Sequence, residues 1–137
     1  MPAYRTTTPV RFGDVDHAGI VYYPRYFIYF HEAFEDLFND NGLPYHEVLD
    51  VRKVGFPTVH IEADYRAPLR YGDTLDLEVT VGRIGNKSAT FRYLGRRHSD
   101  GTQTCDAKIT IACVDMDTFV ALPFPDYLRE LFGRFTP

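Results

Sequence analysis

The stretch Gly13-Asp14-Val15-Asp16-His17-Ala18-Gly19-Ile20-Val21-Tyr22-Tyr23-Pro24 gathers groups that could do chemistry. Two carboxylates, Asp14 and Asp16, stand in a glycine-bounded turn, and a helix-like pattern follows at once. The first amides of a helix lack partners within it, and that end carries a partial positive charge. A carboxylate beside such N–H groups can act on a carbonyl. The amides take the developing oxyanion, and the carboxylate serves as base or nucleophile. The same residues also have a purely local use, because a turn Asp commonly caps nearby backbone N–H groups.

Other chemistries are poorly served. Asp14-Val15-Asp16 looks like the start of a calcium loop, but the later glycine and distal glutamate of such a loop are missing. His31-Glu32 and His46-Glu47 are not followed by a second histidine four positions after the first, which excludes a zincin helix. No metal and no cofactor is expected. Lys and Arg number 15 against 19 Asp and Glu, a net charge of −4, without a basic stripe dense enough for a phosphate backbone. Nucleic acid is not an expected partner. Met1 is not followed by a signal-peptide core, and no apolar run reaches about 18 residues, so no membrane partner is expected. Cys105 and Cys113 fall in one strand pattern, roughly 26 Å apart and beyond disulfide reach. They read as two small buried residues in a reducing, cytoplasmic setting.

The elements that must position the turn follow from periodicity. Thr6 to Phe12 reads as a first strand near an edge, since Pro9 cannot donate to a ladder. Tyr26, Phe27, Phe30, Ala33, Phe34, Leu37 and Phe38 recur at helical spacing and predict a long helix from Pro24 to Asn41. Pro44 to Leu49 predicts a short second helix, and Asp50 to Gly55 a connection. From Thr58 the period becomes two: Val59, Ile61, Ala63 and Tyr65 alternate with polar residues, predicting a strand buried on one face. Strands follow over Leu75 to Val81, Ser88 to Arg97 and Thr102 to Val114, separated by turns at Gly85-Asn86 and Ser99-Asp100-Gly101. Pro123 to Phe135 predicts a closing amphipathic helix. Residues 1–137 thus form one domain of the α+β class. Short turns between successive strands imply an antiparallel sheet of about five strands. Aromatic residues make up 15% of the chain, and the wide aromatic stripe on the helix must be covered. A sheet curled round one long helix, the hot-dog arrangement, does this; other α+β sandwiches have the same alternation.

Gly13 to Tyr26 resembles the signature of the 4-hydroxybenzoyl-CoA thioesterase family of hot-dog proteins. The likeness continues through Gly42-Leu43-Pro44, Gly55-Phe56-Pro57, Tyr65-Arg66-Ala67-Pro68 and Gly72-Asp73, covering nearly the whole chain in order. The resemblance implies hydrolysis of an acyl-CoA thioester to a carboxylic acid and CoA. It makes Asp16 the catalytic carboxylate, as nucleophile or general base, and sets Tyr23 beside the thioester, with a backbone N–H at the helix start polarising the carbonyl. His31 and Phe56 match positions of the acyl pocket, and His60 is a further candidate for substrate contact, although its strand parity also allows it to face solvent. Lys87 and Ser88 match a position near the CoA nucleotide. The family pairs as a homo-oligomer, dimer or tetramer, with each site shared between subunits. The Tyr23-Pro24 pair resembles the branch acting on aromatic acyl groups such as hydroxybenzoyl. Val15 departs from the Thr or Cys that relatives often carry before the catalytic Asp. A non-catalytic hot-dog module that binds acyl-CoA or an acyl carrier protein is the alternative, and Asp16 separates the two. A hot-dog hydratase would want an Asp–His pair, and no such motif is found.

Overall fold

Residues 2–137 are described by a computed structural model of the chain. Its strands are β1 (Tyr4–Pro9), β2 (Val54–Gly55), β3 (Thr58–Tyr65), β4 (Thr74–Ile84), β5 (Ser88–Arg97), β6 (Gln103–Ala112) and β7 (Val114–Asp115). Its helices are α1 (Arg25–Asp40), α2 (Tyr45–Asp50) and α3 (Asp126–Gly133), and one 3-10 turn covers Phe12–Asp14. Five strands form an antiparallel sheet in the order β1-β4-β5-β6-β3.

The sheet forms around α1 because both bury one face. Tyr26, Tyr29, Phe30, Ala33, Phe34, Leu37 and Phe38 are the buried residues of α1. They meet the inward set of the strands, which includes Leu75, Leu77, Val79 and Val81 of β4 and Ala89, Phe91 and Tyr93 of β5. Phe30 lies 5.0 Å from Tyr93 and Phe34 5.1 Å from Phe91, centroid to centroid. Phe132 of α3 closes the same cluster, 5.1 Å from Phe91 and 5.9 Å from Phe38. Interlocked rings of this kind add to the area they bury. The result is the hot-dog arrangement.

Several boundaries differ from expectation. β1 runs from Tyr4 to Pro9, not from Thr6 to Phe12, because its partners on β4 run from Val79 to Thr74. Beyond Pro9 the chain must leave the edge and turn. α3 begins after Pro125, whose ψ of 154° holds the chain extended past the expected start. The last long strand is two: β6 stays in the sheet, while β7 leaves it to pair with β2. Two-residue strands carry no period, so this small ribbon left no pattern to read. Tyr29 is buried and Phe27 is 36% exposed, the reverse of the helical stripe as read from the sequence.

The largest correction concerns β3. It was expected to be buried on one face, yet Val59, Ile61 and Tyr65 are 61%, 40% and 43% exposed. β3 lies at the end of the sheet order and pairs with β6 alone. Cys105 and Cys113 are buried and unpaired. Burial pushes their thiols up, to about 12 and about 11. Among the described residues no helix is long and apolar enough to cross a membrane.

Candidate active site

The turn is a small hairpin of its own. Val15 and Val21 form an isolated antiparallel bridge, and the Asp16 N–H donates to the Ile20 carbonyl at 3.1 Å. The Gly19 N–H donates to the Asp16 carbonyl at 3.0 Å, with Gly19 at φ +81°, a conformation glycine adopts without strain. The hairpin is pinned to the segment before β4: the Val21 N–H donates to the Leu69 carbonyl at 2.8 Å, and Ile20 bridges Arg70. Asp16 is exposed at the hairpin's tip. The Ala18 N–H donates to its Oδ1 at 2.8 Å. Among the described residues nothing engages Oδ2. One oxygen therefore fixes the side chain and the other is free to react.

Asp14 has a different task, which sequence reasoning missed. It is 3% exposed and saturated with donors. Arg25 reaches its Oδ1 through Nε at 3.0 Å and Nη2 at 2.8 Å. The Tyr29 hydroxyl and the Arg11 N–H donate to its Oδ2 at 2.6 and 2.9 Å. Its carbonyl accepts from the Tyr22 N–H at 2.9 Å. Burial alone would raise this carboxyl, but the bonds from Tyr29, Arg11 and Arg25 outweigh it and hold it below the ordinary carboxylate range. Burial first, then the bond to the Asp14 carboxylate, pushes the Tyr29 phenol up, against an opposing pull from Arg25. A signal did exist: Arg25 and Tyr29 stand one helical turn apart and so can converge on one acceptor. The Asp14 network ties the hairpin to the first two turns of α1, and hence ties Asp16 to the helix start.

At that start the amides are almost all committed. Arg25, Tyr26 and Phe27 donate to the Tyr22, Tyr23 and Pro24 carbonyls. Pro24 has no N–H. Among the described residues the Tyr23 N–H meets no acceptor. Tyr23 is 59% exposed, and its ring stacks edge-on to Tyr65 of β3 at 6.2 Å. The Tyr65 hydroxyl points back to the Tyr23 carbonyl, 3.4 Å away. Beside these rings a cleft of about 650 Å³ runs between hairpin and sheet, lined by Ile20, Tyr23, Tyr26, Tyr65, Pro68 and Leu69 among others.

His31 and Phe56 are brought together. Both line a smaller cavity of about 100 Å³ between α1 and the beginning of β3, with Phe27, Phe34, Thr58 and Tyr93. His60 is not brought there. It lies on the outer face of β3, exposed, with its Nε2 3.0 Å from Glu62 Oε1. The strand's period of two turns Ile61 to the cavity and His60 away from it. Lys87 and Ser88 lie at the β4–β5 turn, where the Lys87 carbonyl accepts from the Cys113 N–H. That turn is at the end of the sheet where β3 begins, while Tyr65 and the hairpin are where β3 finishes. The eight residues of β3 separate the two ends by roughly 23 Å. Among the described residues no group of three or more His, Cys, Asp or Glu is gathered for a metal.

A model of the thioesterase-like superfamily matches residues 10–132. The chain belongs to that superfamily. It is 30% identical over 131 residues to a 1,4-dihydroxy-2-naphthoyl-CoA hydrolase of Synechococcus elongatus, covering 95% of each chain. It superposes on a thioesterase-superfamily protein of Jannaschia with a TM-score of 0.91 and 28% identity, covering 98% of this chain and 94% of that one. It also superposes on a gentisyl-coenzyme A thioesterase with a TM-score of 0.83 and 26% identity, covering 92% and 99%.

Proposed function

We propose that this chain is an acyl-CoA thioester hydrolase acting on an aromatic acyl group, with Asp16 as its catalytic carboxylate. The observation that carries the reading is one short hairpin that ends in an uncommitted carboxylate oxygen at Asp16 and runs into an uncommitted N–H at Tyr23. The relatives' reaction fits these groups. The thioester carbonyl accepts from the Tyr23 N–H, which takes up charge as the tetrahedral centre forms. Asp16 Oδ2 either attacks the carbonyl carbon, giving an acyl anhydride on Asp16 that a water then hydrolyses, or removes a proton from an attacking water. The CoA thiolate leaves without strong acid assistance, since a thiol of this kind ionises near about pH 8.5. The products are a carboxylic acid and CoA.

The cavity beside His31 and Phe56 supports an aromatic acyl group. Its lining of Phe27, Phe34, Phe56 and Tyr93 gives a flat ring aromatic faces to pack on. Lys87 and Ser88 serve the nucleotide end. In one chain they stand a strand's length from Asp16, and the exposed edge of β3 supplies the remedy. Two copies paired antiparallel along β3 would set one copy's Lys87 turn beside the other's hairpin and cover Val59, Ile61 and Tyr65. The enzyme is thus a homodimer, or a tetramer of such pairs, with shared sites.

Thiol release from a panel of aromatic and aliphatic acyl-CoAs tests the reading. Asp16→Asn is expected to lower kcat by about a hundredfold or more. Unchanged turnover would remove Asp16 from catalysis. Tight binding of acyl-CoA without cleavage by the wild type would instead support a binding module.

A further inference from the structure

One polar group in the small cavity has no task within the chain. Tyr93 lies mid-strand in β5, between Val79 of β4 and Ala107 of β6, and its side chain turns inward to Phe30. It is 2% exposed and lines the cavity with Phe27, Phe34, Phe56 and Ile109. Among the described residues no donor or acceptor meets its hydroxyl. Buried hydroxyls are ordinarily partnered. The chain does contain sealed, unpartnered side-chain oxygens, those of Tyr26, Thr104 and Tyr127. The Tyr93 oxygen is not among them, and Tyr93 is a wall of the cavity.

Resting on the hydrolase reading above, we propose that Tyr93 is a specificity-determining residue whose hydroxyl donates to an oxygen substituent on the ring of the acyl group. The walls around it are mostly apolar and aromatic, so a ring fits and a polar substituent finds few other partners there. His31 and Thr58 are the other polar side chains on the lining. Burial pushes the Tyr93 phenol up, which keeps it protonated and a donor. When an unsubstituted ring binds, the hydroxyl is closed off from water with nothing to bond, so such substrates are discriminated against.

Tyr93→Phe removes one oxygen and keeps the ring. It is tested on benzoyl-CoA and its 2-, 3- and 4-hydroxy derivatives. For the preferred hydroxylated ester, kcat/KM should fall by about tenfold or more, while for benzoyl-CoA it should hold or rise, because the variant has no hydroxyl to leave unbonded. The melting temperature of the free protein should be unchanged or higher, because no bond within the chain is lost. An equal loss on all esters, no loss on any, or a clear drop in melting temperature overturns the role of Tyr93. If the wild type cleaves some of these esters, such a result leaves the hydrolase reading standing. If the wild type cleaves none of them, the aromatic-acyl reading fails and the role of Tyr93 fails with it.

Discussion

Two aspartates, two positions apart, divide the work of the hairpin. Asp14 is buried and fully bonded, while Asp16 is exposed with one oxygen free. The division is testable at Asp14. Asparagine keeps the shape but removes the charge that Arg25 and Tyr29 answer. Asp14→Asn should destabilise the protein by about 2 kcal/mol, less than a wholly buried pair because Arg25 is partly in water. Urea denaturation measures it. The pH dependence has a definite sign. The folded carboxyl lies below its unfolded value, so it stabilises above the ordinary carboxylate range, and that stability is lost as pH falls through the folded value. The gap between wild type and Asp14→Asn should therefore be full near about pH 7 and shrink towards about pH 3. A constant gap would mean that charge is not what Asp14 contributes. The sequence marks both aspartates as turn residues beside a helix. It does not say which is enclosed, because that depends on where Arg25 and Tyr29 reach once α1 has packed.

At the scale of elements, β3 is the informative strand. An exposed edge carrying Val59, Ile61 and Tyr65 is a template for another strand, and proteins that must avoid such pairing place charges there. If two copies pair along β3 as proposed, Val59→Lys should shift dimer towards monomer, read by light scattering, and lower turnover per chain in step. A variant that stays dimeric with full activity would move the interface away from β3. The period-two pattern of this strand was legible, and so was the long helix, because both run for many residues. That β3 would be an edge was not legible: alternation reports which residues want covering and is silent on whether the cover is in the same chain. The β2–β7 ribbon was invisible for the opposite reason, being too short for any period. His60 shows what strand parity can say from the sequence. Its strand parity already allowed it to face solvent, and in the chain it lies exposed beside Glu62.

For the whole molecule, the placement of Asp16 and Lys87 at opposite ends of β3 makes a prediction that neither residue makes alone. Lys87→Ala should raise KM for acyl-CoA with little change in kcat if, as proposed, it meets the nucleotide and not the reacting carbonyl. Asp16→Asn should do the reverse. If each site takes Asp16 from one copy and Lys87 from the other, mixing the two inactive-at-low-substrate variants creates complete sites. A mixed dimer then has one site with both residues intact and one with neither. In a randomly exchanged mixture, roughly a quarter of all sites should regain wild-type behaviour. The measurement is thiol release at substrate well below the KM of Lys87→Ala, before and after the chains are allowed to exchange. If both residues serve a site within one chain, exchange creates no complete site and the mixture remains the sum of its parts. The outcome thus distinguishes a shared site from a self-contained one, even if the two variants behave alike when measured separately.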